Sequence, residues 1–179
     1  MTDRANLGLA IPAVIDPFED SSLFTILGDE TANKATGTAA PLSAGCLQFD
    51  KVDAVETTKA AGLYYAKSFD LGDARPEDVA SWWAMCPDTA DLDYAFLRIG
   101  VDASNYVEFR WADTNFTSNQ WEWARVKLGE GYVTGTGADL KLTQEYIAVG
   151  FAFDAEDDAL ANLRVWKAEV LPLAVVEDI

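Results

Sequence analysis

The sequence predicts an all-β domain, a sandwich or a barrel, on three observations. Short β-type segments recur along the chain, each bounded by stretches rich in Gly, Asp, Thr and Asn. Two of those segments register as a hairpin by parity alone. No internal repeat, low-complexity tract or long linker divides the 179 residues, a length that suits one domain with a real hydrophobic core.

Nine strands are expected, and turn signals set their limits. The first covers residues 23–27 and ends at GDETANKATGTAAPLSAG, expected to be a connection. Residues 46–51 and 63–71 follow, the latter closed by GDARPED. Pro76-Glu77-Asp78 suits the first turn of a short helix. The Trp82-Trp83 pair fits a strand better, so residues 79–85 are assigned to one. CPDTADLD then leads into strands 94–101 and 106–111, and DTNFTSNQ separates these from strand 121–128. GEGYVTGTGADLKLT precedes strand 146–153, and DAEDD precedes the last strand, 163–170.

The strongest local expectation is the hairpin. In YAFLRIGV, Ala95, Leu97, Ile99 and Val101 share one face, with Tyr94, Phe96 and Arg98 on the other. In NYVEFRW, Val107, Phe109 and Trp111 oppose Tyr106, Glu108 and Arg110. A one-residue slip would flip every side chain, so the apolar faces must meet. Ile99 then stands opposite Val107, Leu97 opposite Phe109, and Arg98 opposite Glu108 on the outer face. The loop this implies is Asp102-Ala103-Ser104.

Later strands follow the same logic. Both faces of strand 146–153 are largely apolar, as in a strand covered on both sides. Trp121, Trp123, Arg125 and Lys127 share one face of their strand, opposite Ala124, Val126 and Leu128. With the second set in the core, both tryptophans project outward.

Composition narrows function. There are 13 basic and 30 acidic residues, a net charge of −17, and no histidine. That charge argues against nucleic acid as a main partner and against anionic membranes. The lack of histidine removes Ser-His-Asp and Cys-His catalysis and histidine-containing metal sites. No stretch reaches the ~18 apolar residues of a membrane span, and the N-terminal apolar run is broken by Pro12 and Pro17. A chain made in a cytoplasm, without a signal peptide, is expected. Cys46 and Cys86 are expected as buried free thiols. The sequon Asn115-Phe116-Thr117 carries no weight outside a secretory pathway.

The segment LRIGVDASNYVEFRW resembles the central hairpin of concanavalin A-like, carbohydrate-binding-type jelly rolls, which are frequent in tailed-phage virion proteins. AGLYYAKSFDLGD before a Trp-rich strand, a following Trp-x-Trp strand, EYIAVGFAFDAED and a closing LANLRVWKAEV agree with it, so the likeness spans residues 16–170. It implies an antiparallel two-sheet jelly-roll sandwich serving as a glycan-binding module, a capsid decoration or cement protein, or a tail or fibre component.

Candidate sites follow. Trp82, Trp83, Trp121, Trp123 and Tyr132, with Trp111, are candidates for a glycan or partner surface, although sandwich cores also need large aromatics. Trp82 and Trp83 are adjacent, so one points inward and the other outward. No cofactor is expected beyond a structural calcium, with candidate ligands Asp154, Glu156, Asp157 and Asp158. The acids Asp16/Glu19/Asp20 and Asp88/Asp91/Asp93 read as solvated loop residues. The Glu-x-Asp-x-x-Glu motif of jelly-roll glucanases is missing and Gly135-Thr136-Gly137 lacks the rest of a phosphate loop, so no enzyme is expected.

The termini complete the reading. Residues 1–16 form an apolar arm, 17–170 the sandwich and 171–179 an apolar tail. Leu7, Leu9, Ile11, Val14 and Ile15, with Leu171, Leu173, Val175 and Val176, either pack back on their own domain or clasp neighbouring subunits. Clasping is the expectation. The function expected first is therefore a capsid decoration or cement protein of a phage virion, a homotrimer seated on the major capsid protein. The alternative is a tail or fibre carbohydrate-binding module that recognises host-surface glycans.

Overall fold

The computed structural model describes residues 13–28, 30–38, 41–42, 45–52, 59–72, 74–136, 138–154 and 159–173. The strands are β1 (Ala13–Asp16), β2 (Thr25–Leu27), β3 (Thr31–Gly37), β4 (Cys46–Lys51), β5 (Ala60–Tyr65) and β6 (Val79–Met85). They continue with β7 (Leu92–Asp102), β8 (Asn105–Ala112), β9 (Trp121–Lys127), β10 (Tyr132–Thr134), β11 (Tyr146–Phe153) and β12 (Leu160–Leu171). The first sheet runs β3-β4-β12-β6-β9, with β1 also on β12; the second runs β10-β8-β7-β11-β5-β2. All pairings are antiparallel. This is an all-β two-sheet sandwich, as the sequence predicts.

The core lies between the sheets. Leu47, Phe49, Trp82, Ala124 and Val165 enter it from the first sheet, and Leu63, Leu97, Ile99, Phe109, Ile147, Val149 and Phe151 from the second. Both faces of β11 are buried along its whole length, as its apolar composition requires.

The hairpin of β7 and β8 has the expected register: Ile99 opposite Val107, Leu97 opposite Phe109, Arg98 opposite Glu108. The turn differs. The register shifts between Gly100 and Asp102, and Asp102 pairs directly with Asn105. Val101 is therefore a bulge, and the loop is Ala103-Ser104, with Asp102 Oδ1 accepting from the Ser104 amide at 2.7 Å. Parity demanded one extra residue, and the strand absorbs it rather than the loop.

Three strands were not expected. β3 rises from the stretch read as a connection, β10 from the GEGYVTGTG loop, and β1 from the N-terminal arm. Strand 63–71 is displaced to Ala60–Tyr65, beyond which Phe69 makes only an isolated bridge to Gln144. Pro76-Glu77-Asp78 forms a turn, not a helix.

β1 corrects the reading of the termini. It pairs with β12, Ala13 opposite Val170, and Ile15 is 3% exposed inside the core. Asp16 is fixed by Lys67, whose Nζ donates to Asp16 Oδ2 at 2.9 Å and to the Ile15 carbonyl at 2.6 Å. Leu171 ends β12 and is 3% exposed. Neither Ile15 nor Leu171 is available to clasp a neighbour: β1 is paired along β12, Leu171 pairs with Val79 of β6, and both side chains are buried. Val14 is exposed, Leu173 is half-buried with its amide on Asp78 Oδ1, and Leu7, Leu9, Ile11, Val175 and Val176 lie outside the described residues. Replacing Ile15 by Ala is expected to cost ~2–5 kcal/mol in chemical denaturation. A residue that served only to grip another subunit would leave the isolated chain unaffected.

Candidate functional site

Pairing in the second sheet assembles a polar and aromatic outer face from strands distant in sequence. Tyr64, Ala148, Arg98, Glu108 and Tyr132 stand in one row across β5, β11, β7, β8 and β10. The next row holds Gly62, Gly150, Phe96 and Arg110. On the other side lie Tyr146, Gly100, Tyr106 and Thr134.

Glu108 organises this face. Its Oε2 accepts from Arg98 Nε at 2.6 Å and its Oε1 from Arg110 Nε at 2.6 Å. The Arg98 guanidinium lies 4.3 Å from the Phe96 ring centroid and 5.0 Å from that of Tyr106. Arg110 lies 4.5 Å from Tyr94 and 4.3 Å from Tyr132. Register places each guanidinium between its two rings. Each such contact contributes about 0.5–2 kcal/mol, more as it is desolvated. Burial opposes the Arg110 charge, but its hydrogen bond and attraction to Glu108 hold its pKa above the usual value. Burial also pushes the Tyr94 and Tyr146 phenols up, so both remain hydroxyl donors at neutral pH.

Glycines set the depth of the surface. A Cβ on Gly150 would stand 2.2 Å from the Ala61 carbonyl oxygen and 2.7 Å from the Phe96 ring, so the ring lies against bare backbone. Gly100 likewise leaves Tyr106 and Tyr146 room to approach across β7, at 6.1 Å between centroids. Tyr64 stands 6.0 Å beyond Tyr146 and extends the row of rings to β5. At the β8 end, a cleft of about 410 Å³ is lined by Tyr94, Arg110 and Tyr132 together with Asp93, Asp113 and Glu130. Flat apolar rings beside fixed donors and acceptors suit the C–H faces and hydroxyls of a sugar.

The sequence-selected aromatics separate onto three levels. Tyr132 joins the face just described and is exposed. Trp82 is fully buried in the core and offers no surface at all. Its β6 neighbours Ala80 and Ala84, with Ala124 opposite, leave the indole its space between the sheets, which is why it and not Trp83 points inward. Trp111, also on the core side of its sheet, is half-buried. Trp83, Trp121 and Trp123 are half-buried on the outer face of the first sheet, as the parity of β9 requires.

There Trp123, Trp83 and Trp166 form one row across β9, β6 and β12. Trp83 and Trp123 stack at 5.9 Å and 11°, and Trp166 lies 6.4 Å from Trp83. Arg125 lies over Trp123 at 4.8 Å and Lys167 over Trp166 at 6.0 Å. Trp123 Nε1 donates to Ser81 Oγ at 3.3 Å.

Parity places Tyr94, Phe96, Arg98, Tyr106, Glu108 and Arg110 on the outside, and from sequence alone they offer only the Arg98–Glu108 pair, not a binding site. Alternation of rings with opposite charges on facing strands was the signal. Cys46 and Cys86 are both buried and neither is in a disulfide, and burial pushes the Cys86 thiol up to about 12. Of the calcium candidates, Asp154 is exposed, its amide donates to the Asp91 carbonyl at 2.8 Å, and its carbonyl accepts from Lys59 Nζ at 2.7 Å. Glu156, Asp157 and Asp158 lie outside the described residues. Among the described residues, no three His, Cys, Asp or Glu side chains converge as metal ligands. No described helix is long and apolar enough to cross a membrane.

No protein-family model and no curated protein matches the chain by sequence. Solved structures match its fold. A family 11 carbohydrate-binding module from Clostridium thermocellum, in complex with a β-1,3-1,4-mixed-linked tetrasaccharide, is similar at a TM-score of 0.59 and 12% identity, over 89% of this chain and 95% of that one. The fold is a two-sheet β-sandwich that matches the jelly-roll fold of that module. A family 28 module specific for non-crystalline cellulose is similar at a TM-score of 0.53 and 16% identity, over 89% of this chain and 95% of that one. An exo-β-agarase is similar at a TM-score of 0.59 and 8% identity, over 89% of this chain but only 24% of the enzyme. The match takes in 95% of each of the two binding modules, whereas the enzyme is matched through one part of its length.

Proposed function

We propose that this chain is a non-catalytic glycan-binding module that holds a polysaccharide across the outer face of the second sheet. The observation that carries the reading is the Arg98–Glu108–Arg110 assembly with its flanking rings. Two guanidiniums fixed by one buried carboxylate give a preorganised set of donors, so little side-chain freedom is lost on binding. Tyr64, Tyr94, Tyr106 and Tyr132 supply rings and hydroxyls around it. The neighbours named for mixed-linkage glucan and non-crystalline cellulose support a neutral, soluble or amorphous polysaccharide as ligand.

Affinity electrophoresis in gels containing mixed-linkage β-glucan, amorphous cellulose derivatives or agarose tests this. The chain is expected to be retarded by at least one, with affinity falling at least about tenfold in the Arg110→Ala/Tyr132→Ala double variant, roughly 1.4 kcal/mol or more. Migration unaffected by every neutral polysaccharide, or retardation unchanged in the double variant, would remove the reading. The decoration-protein role drew on apolar arms. Among the described residues their exposed share reduces to Val14 and part of Leu173, so glycan binding is better supported.

A further inference from the structure

We propose that the outer face of the first sheet is a second and independent binding surface, for a carboxylated polysaccharide. It does not depend on the glycan site of the opposite sheet. This acidic chain gathers several of its few cations on that face. Of 13 basic residues against 30 acidic ones, Arg125 and Lys127 face outward from β9, and Arg164 and Lys167 from β12. Glu169 is the one carboxylate among the described side chains that face outward from β6, β9 and β12, and Lys167 Nζ already bonds it at 2.7 Å. The β6–β9–β12 part of the face is therefore cationic on a molecule of net charge −17, with Asp50 of the neighbouring β4 taken up by Asn33 and Asn162. Such asymmetry orients a polyanion toward the larger cationic surplus, since the acidic remainder of the molecule repels it; the opposite face holds two arginines against Glu108.

The cations border the Trp123–Trp83–Trp166 row. A uronate ring has an apolar C–H face and a single carboxylate, and this surface offers a partner for each. The half-buried Trp83 and Trp123 take the first, with Trp166, only 6% exposed, packed behind them. Arg125, its guanidinium held over Trp123 at 4.8 Å, presents planar donors suited to the second. Arg125 and Lys127 are both exposed and lie two residues apart on one strand, about 7 Å, so successive charges of one polymer chain can be met. Charge density favours a polyuronate over a nucleic acid. Duplex DNA carries a charge every ~1.7 Å and would bring its repulsion with the acidic remainder of the protein, whereas a polyuronate carries one charge per ring.

The test uses the full chain in gels containing polygalacturonate, with single-stranded DNA and sedimentation velocity run alongside. Retardation by polygalacturonate is expected, weakening as ionic strength approaches ~1 M, where screening is nearly complete. Arg125→Glu/Lys127→Glu should raise the dissociation constant at least about tenfold, while leaving neutral-glycan binding and the melting temperature in place. Arg110→Ala/Tyr132→Ala should do the reverse, so failure of one site is separable from failure of the other. No retardation of the native chain would overturn the proposal, as would retardation that survives the double charge reversal. Binding to single-stranded DNA, or self-association, that disappears in the charge-reversed chain without any polygalacturonate binding would overturn it in favour of that partner.

Discussion

Glu108→Ala is expected to destabilise the fold by on the order of 3 kcal/mol and to abolish neutral-glycan retention. The Glu108 side chain is 5% exposed, that of Arg98 17% and that of Arg110 39%. Removing one member of a buried ion pair costs roughly 3–5 kcal/mol, because the charge left behind has lost its partner. Here two charges are left, 2.6 Å from the vacated oxygens. Arg110 is open enough for water to replace much of its loss, which keeps the expected cost at the lower end. Glu108→Gln retains the shape and one acceptor oxygen, so it should lose less stability than the alanine variant while still disordering a guanidinium. Urea denaturation of both variants, beside affinity electrophoresis, makes the check. Full binding by a folded Glu108→Ala chain would show that the arginines need no anchor.

Trp82→Ala is expected to cost about 3–5 kcal/mol, lowering the melting temperature of a chain this size by roughly 10 °C. Trp82 is completely buried, and Ala80, Ala84, Ala124 and Ala168, all fully buried too, form the small-residue surroundings that admit it. Those alanines have no atoms with which to refill the space. Trp82 Nε1 has no hydrogen-bond partner, so the indole stabilises through packing alone and Trp82→Phe should be far milder. Trp83→Ala, which removes a half-buried ring stacked on Trp123, should cost less than Trp82→Ala. Thermal unfolding of the three variants orders them. Equal losses at positions 82 and 83 would contradict the inward and outward assignment.

What the sequence showed and what it hid divide along one line. Parity is local, so the β7–β8 register and the outward set of β9 were legible. Pairing between distant strands is not. β1 looked like a free arm because its partner, β12, lies at the opposite end of the sequence. β3 reads as a connection because TANKATG carries the polar residues of a sheet edge, and its order comes from the ladder to β4. β10 has three residues, all exposed, and no apolar pattern to detect. The candidate site was hidden for the same reason. Tyr94, Phe96, Arg98, Tyr106, Glu108 and Arg110 were correctly placed outside, but Tyr64 and Tyr146 join them only through the pairing of β5, β11 and β7.

The stacked indoles of the first sheet have an optical consequence. Trp83 and Trp123 lie 5.9 Å apart and within 11° of parallel, close enough for their ultraviolet transition dipoles to couple. Two chromophores then absorb as one coupled pair, and any in-plane twist between the indoles is expected to give circular dichroism a paired band of opposite signs. That band belongs to one face of the sandwich. The opposite face presents tyrosine and phenylalanine rings, so the molecule carries its own spectroscopic label for telling which side a ligand has touched.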